Sequence, residues 1–239
     1  MICIDCKSKN HSLCREQKRQ LDQTLSDAER LGSQWCDCQH VVDDVGKLYI
    51  TSVNHDWQTT LLIPIPAAEA AVSHHRSKLD DAARDGIPAH ITISYPFLPP
   101  SQINESLLGS LSGMFGKIPA FRFTLDQIGW FGDDVVWLGP SDPAPFNVFI
   151  NTVFSAFPSC PPYGGKYTQV IPHLTIGNTG EQQALQTAAE SIKSYLPIDG
   201  IATEVTLMAG PCPGSPDTPP GQWHVITTFP LDHHEIENV

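Results

Sequence analysis

The sequence predicts an α+β fold built as a two-lobed, pseudo-symmetric duplication, with antiparallel sheets facing a central cleft and helices outside. Three observations carry this expectation. A short pattern occurs twice, as Ile87-Pro88-Ala89-His90-Ile91-Thr92-Ile93 and as Ile171-Pro172-His173-Leu174-Thr175-Ile176. Ahead of each copy the chain reads as a strand and then a helix, so strand, helix and motif strand recur on either side of the middle. Proline accounts for 21 of the 239 residues, which implies many loops and abrupt strand ends. Outside the motifs the halves share little identity, so the duplication rests on element order.

Composition narrows the function. The hydrophobic content of 41% is ordinary for a globular chain. No apolar run approaches the ~20 residues of a membrane span, and the polar, Cys-bearing N-terminus has no basic-then-apolar leader. A soluble, cytoplasmic protein without membrane partners is expected, acting as a monomer. Lys and Arg number 14 against 26 Asp and Glu, a formal charge of −12. That balance argues against broad binding to long nucleic acid, whose affinity comes largely from cations on phosphates. It leaves room for a small phosphate ester or an RNA end held in a local cleft.

In chain order, residues 1–56 form a Cys-bearing extension, 57–231 the two-lobed domain and 232–239 an acidic tail. The extension holds five of the seven cysteines. Cys3-x-x-Cys6 has the spacing of half a zinc site, which Cys14, Cys36 or Cys38 could complete as a structural tetrahedron; the set Cys3, Cys6, Cys36 and Cys38 is the candidate. Cys36-x-Cys38 departs from the paired signature, and reduced thiols are the alternative reading. From Ser12 to Leu31 the apolar positions Leu21, Leu25, Ala28 and Leu31 recur at helical spacing, and Gly46 to Val53 reads as a short strand.

Thr59 to Ile65 reads as a buried strand that Pro66 ends. Ala67 to Leu79 follows as a helix with Glu69 in its first turn, and its His74 and His75 are expected to face solvent. The first motif strand ends at Tyr95-Pro96, after which Ser101 is placed to cap a helix running to Phe115. Phe121 to Trp130 and Val135 to Leu138 flank Gly132-Asp133-Asp134 as a hairpin. Pro145 to Ala156 reads as a helix with core-spaced Phe146, Phe149, Ile150 and Val153. A Pro/Gly/Tyr-rich loop leads to the second motif. Gln182 to Leu196 is then a helix, Ile201 to Met208 a strand, and Trp223 to Phe229 a last strand whose His224 is read as a structural or surface histidine.

In a β-strand alternate residues share a face. His90 and Thr92 therefore point one way while Ile91 and Ile93 point the other, and His173 and Thr175 oppose Leu174 and Ile176. Each strand buries an aliphatic face and presents an imidazole beside a hydroxyl. A third His-x-Ser/Thr, His75-Arg76-Ser77, lacks the aliphatic flanks and is read as chance. A metal hydrolase needs a second ligand two to four residues from the first, which neither motif strand has. A serine hydrolase needs a Gly-x-Ser-x-Gly elbow; the nearest outline, Gly210-Pro211-Cys212-Pro213-Gly214, carries a Pro-flanked Cys instead.

The paired motifs resemble those of the two-histidine (2H) phosphoesterase superfamily, which includes 2′-5′ RNA ligase-like proteins and RNA 2′,3′-cyclic phosphodiesterases. The resemblance spans Gln58 to Leu231. It implies a two-lobed fold with catalytic His90 and His173, phosphate-binding Thr92 and Thr175, and no cofactor. It also implies opening of 2′,3′-cyclic phosphates, with 2′-5′ ligation as the reverse reaction. An imidazole with a pKa near ~6.5 can serve as base or acid at neutral pH, so a pair can share attack and departure across a phosphate. In the resembling proteins a loop precedes the second motif, which makes Tyr163 and Lys166 candidate substrate contacts. Tyr163 could stack on a base; an ordinary irregular loop is the alternative. The competing function is a non-catalytic module that binds RNA ends or nucleotides through the same cleft.

Overall fold

In a computed structural model the residues described are 41–42, 48–49, 57–167, 169–211 and 223–232. The chain divides into two units, Met1–Asp56 and Trp57–Val239. In the first, Val41–Val42 pairs antiparallel with Leu48–Tyr49. The cysteine set, the helix expected at Ser12 to Leu31 and most of the acidic tail lie outside the described residues.

The second unit begins with β1 (Trp57–Pro64). Its β-branched and aliphatic run is buried from Thr59 to Ile63 because neighbours flank it on both edges. Pro66 ends it and opens a 3-10 turn, which passes into α1 (Glu69–Leu79). Asp80 then caps the short α2 (Asp81–Arg84), its carboxylate accepting from the Ala82 amide at 3.0 Å. The first motif strand, β2 (His90–Ser94), alternates as its sequence requires. Ile91 and Ile93 are buried, while His90 and Thr92 are half-buried.

The next helix is capped differently from the expectation. Ser101 lies in a 3-10 turn, and Asn104 caps α3 (Glu105–Phe115) by accepting from the Leu107 amide at 3.0 Å. The hairpin of β3 (Phe121–Phe131) and β4 (Val135–Pro140) leads to α4 (Ala144–Ala156). The second motif strand, β5 (Leu174–Gly177), starts one residue after His173. The following helix, α5 (Gln182–Ile192), gives way to a 3-10 turn at Lys193–Tyr195, just ahead of Pro197. The alternation read as one strand from Ile201 to Met208 belongs to two: β6 (Ile198–Ala202) and β7 (Glu204–Pro211), broken at Thr203 where the chain changes sheets. The last strand is β8 (His224–Pro230).

Two four-stranded sheets result, ordered β8–β7–β1–β2 and β5–β4–β3–β6, every neighbouring pair antiparallel. The unit β1–α1–β2 is matched by β4–α4–β5, as the repeated element order requires. The lobes are nevertheless not the two halves of the chain, because the first sheet takes two of its strands, β7 and β8, from the C-terminal end. Each motif strand is the edge of its sheet, and the two edges lie against each other. The helices are exchanged: α1 packs on β5, and α4 packs on β2. One continuous core takes Leu61, Ile63, Ile91 and Ile93 from the first sheet, Leu125, Leu138, Leu174 and Ile176 from the second, and Phe115, Phe146 and Phe149 from the helices. The motif faces that carry His and Thr point away from this core.

Candidate active site

Both motifs build the same local device. The Nδ1–H of His90 donates to the Pro88 carbonyl at 2.7 Å, and the Nδ1–H of His173 donates to the Ile171 carbonyl at 2.7 Å. A carbonyl only accepts, so Nδ1 holds the proton in each neutral ring and Nε2 keeps its lone pair. Both rings retain accessible surface on the cleft side, yet protein closes around the rest of each. This walling-in, more than the residual exposure, governs their charge. Burial pushes His90 down to about 3, with the Arg76 guanidinium and His173 adding to the effect and the Pro88 carbonyl opposing it. Burial also lowers His173, against the pull of the Ile171 carbonyl.

The hydroxyls sit one pleat along. Thr175 stands opposite Trp137 on β4, and Thr92 opposite Leu62 on β1. The Thr92 side chain is hydrogen-bonded to the Tyr163 phenol, which burial raises to about 12 and so keeps protonated as a donor. Tyr163 ties the two motifs together. Its amide donates to the Tyr95 carbonyl at the end of the first motif strand at 2.7 Å, and its ring lies nearly parallel to His173, centroids 6.4 Å apart and planes 20° apart. It does this at φ 53°, ψ 35°, a left-handed conformation that costs a non-glycine residue of order 1–3 kcal/mol and clusters at functional sites.

His173 is walled by further aromatics. Phe131 meets it edge-on at 4.9 Å, and Trp137 lies 6.0 Å away. Trp137 can lie flat because Gly129 faces it across the strand pair; a Cβ there would stand 2.1 Å from its ring. Among the described residues its buried Nε1–H has no hydrogen-bond partner. Phe131, Val135, Tyr163, Ile171 and Asn178 enclose a cavity of about 300 Å³ against His173. Lys166 is exposed on the same loop, its ammonium 5.5 Å from the centre of the Tyr167 ring.

The structure thus gathers His90, Thr92, His173 and Tyr163 and leaves Lys166 on the exposed side of the loop. Three further histidines lie among the described residues, with contacts elsewhere. His74 is exposed beside Lys78, His75 is half-buried with Nε2 2.7 Å from the Ser191 hydroxyl of α5, and His224 packs its ring by Trp57 at 5.3 Å. Sequence reasoning passed over Arg76, Phe131, Trp137 and Asn178. Arg76 carried a signal: it follows the apolar Val72 and precedes Asp80 at four-residue spacings, which puts a charged pair on the buried face of α1.

A family model described as the 2′-5′ RNA ligase superfamily matches residues 64–210, a segment that holds both motifs, Arg76 and Tyr163. The chain belongs to the 2′-5′ RNA ligase superfamily. Among solved structures it is similar to Escherichia coli LigT complexed with 3′-AMP, at 20% identity over 75% of this chain and 100% of that one, with a TM-score of 0.46. It is also similar to a structure titled phosphoesterase, at 20% identity over 74% and 99%, TM-score 0.46. A protein of Thermus thermophilus, TT0787, matches at 15% identity over 74% and 99%, TM-score 0.44. No curated protein sequence matches the chain. This superfamily member has, among its described residues, no helix long and apolar enough to cross a membrane.

Proposed function

We propose that this protein is a two-histidine phosphodiesterase that opens 2′,3′-cyclic phosphates of RNA ends or small nucleotides. One observation carries the reading: two imidazoles on adjoining sheet edges, each with Nδ1 pinned to a carbonyl and, among the described residues, no partner on Nε2, and each one pleat from a threonine hydroxyl. In the reaction a water oxygen bonds to phosphorus as one Nε2 takes a water proton. The bond from phosphorus to one ribose oxygen breaks as the other imidazole, protonated, gives that oxygen its proton. One water is consumed, one phosphomonoester forms, and the two histidines exchange charge states. The carbonyl acceptors on Nδ1 let each ring hold a second proton when its turn comes. The threonine hydroxyls and the Tyr163 phenol supply donors for the non-bridging oxygens, where negative charge is held. With a ribose 5′-hydroxyl in place of the water the same groups would form a 2′-5′ linkage, and abundant water favours hydrolysis. The cavity of Phe131 and Tyr163 beside His173 suits a base that stacks on an aromatic ring.

The test is hydrolysis of a 2′,3′-cyclic nucleotide in EDTA by the wild type and by His90→Ala and His173→Ala. Each substitution is expected to lower turnover by about two to four powers of ten with the fold intact. Thr92→Ala and Thr175→Ala should cost less and weaken binding. Turnover that survives loss of both histidines overturns the mechanism. A wild type that turns over neither mononucleotides nor a short RNA with a cyclic end leaves the cleft as a nucleotide-binding site.

A further inference from the structure

The cavity beside His173 follows β5. His173 stands just before that strand and Asn178 just after it, and both line the cavity. Much of the wall between them is aromatic or aliphatic, from Phe131, Val135, Tyr163 and Ile171. Such a wall stacks on any base and chooses among none. Choice needs a polar group whose donor or acceptor character is fixed. The Tyr163 phenol is bonded to Thr92. Tyr167 and Gln169 also line the cavity but are exposed, and among the described residues neither side chain makes a hydrogen bond. A hydroxyl and an untethered amide each turn to donate or to accept as a ligand requires.

Asn178 differs, because its backbone and its side chain are both tied. Its amide donates to the Leu79 carbonyl at 2.7 Å, and its Oδ1 accepts from the Asp81 amide, the first of α2, at 3.2 Å. That amide is one of those a helix start leaves without an intrahelical partner, and a backbone N–H only donates. The oxygen is therefore held toward α2, and Nδ2, with two hydrogens and no partner among the described residues, is what the side chain can offer a ligand. Turning the amide over would set Nδ2 against the Asp81 N–H, donor to donor.

We propose that Asn178 selects the base, favouring nucleotides of uracil and guanine over those of cytosine and adenine. This rests on the phosphodiesterase reading above. With the cyclic phosphate at the histidines, the ribose and then the base extend along β5 toward Asn178. The base edge farthest from the sugar then meets Nδ2. On that edge uracil O4 and guanine O6 accept, whereas cytosine N4 and adenine N6 donate. Nδ2 bonds the first pair and leaves two donors facing each other with the second. Asn178 is exposed, so water competes for Nδ2 and the discrimination expected is about tenfold, the worth of one hydrogen bond.

The experiment measures kcat/KM of the full-length protein for the four nucleoside 2′,3′-cyclic phosphates, and Kd for the four nucleoside 2′-monophosphates by calorimetry. The wild type is expected to favour uridine over cytidine and guanosine over adenosine by about tenfold, chiefly through KM and Kd. Equal or reversed ratios overturn the proposal. Asn178→Asp keeps an oxygen for the Asp81 amide and replaces the donor by an acceptor. Its charge weakens every anionic ligand alike, so the readout is the uridine-to-cytidine ratio, which should fall below one. Asn178→Ala should bring that ratio near one. A ratio unmoved in either folded variant overturns the proposal. Turnover without base preference refutes the base assignment and leaves the phosphodiesterase reading. Absent turnover with the expected order of Kd values does the reverse, and a protein that binds none of the four loses both.

Discussion

His90 and His173 are neutral because protein, not water, surrounds them, and that gives stability a definite dependence on pH. An unfolded His titrates at about 6.5, whereas His90 in the fold is pushed down to about 3. Between these values the unfolded chain binds a proton that the folded chain refuses. The stabilisation is therefore complete above about pH 6.5 and is lost as the pH falls toward about 3. His173 and His75 act in the same direction; the raised Asp80 acts oppositely, because its folded form takes up a proton first as the pH falls. The urea midpoint should fall from pH 7 to pH 5, and His90→Asn should flatten that slope; an unchanged slope would mean that His90 titrates normally. At the same scale, Tyr163→Phe keeps the ring over His173 and removes the bond to Thr92. Up to about a tenfold rise in KM is expected with a smaller change in kcat, the worth of one hydrogen bond. An unchanged KM would show that the phenol does not meet substrate.

At the scale of elements, the helix exchange brings the motif edges together. Helix α1 leaves the first sheet and packs on the second sheet's motif strand, and the contact is close. A Cβ on Gly177, the last residue of β5, would lie 2.9 Å from Leu79 Cβ and 2.7 Å from Leu185 Cδ2. Gly177→Ala must therefore push β5 away from α1 and α5, at about 1–3 kcal/mol. The expected result is a lower melting temperature together with lost turnover, since Thr175 and His173 move with the strand. An enzyme of wild-type activity and stability would show that this packing has slack. The motif strands were legible in the sequence because alternation of Ile and Leu with His and Thr has one structural solution. The exchange was not, since periodicity says that a face is buried and not what buries it. For the same reason His74-His75-Arg76 read as a polar, solvated run although Val72 and Asp80 put Arg76 inside. The alternation across Thr203 likewise hid a corner between sheets, because a pleat carries no mark of which sheet it joins.

The whole molecule joins its lobes by topology. Central strand β1 pairs with β2 from its own neighbourhood and with β7 from the far end of the chain, and β7 arrives directly from β6 of the other sheet. Leu61 and Ile63 of β1 share their core with Leu125, Leu138 and Ile176 of the second sheet, so neither sheet can bury its inner face alone. The lobes should accordingly unfold together. Trp223 packs on Gly210 of the first sheet and Trp137 on Gly129 of the second, so each reports on one lobe. In variants that keep one of these as the sole tryptophan, urea transitions followed by Trp137 and by Trp223 fluorescence are expected to coincide with each other and with far-ultraviolet dichroism. Deleting residues 204–239 should abolish cooperative folding of both sheets, because β1 then exposes its β7 edge and the core loses Val205, Leu207 and Phe229. Separate midpoints for the two fluorophores, or a cooperatively folded truncation, would instead make each lobe a folding unit. The distance between His90 and His173 would then be free to vary, and a rigid two-histidine site would need substrate to assemble it.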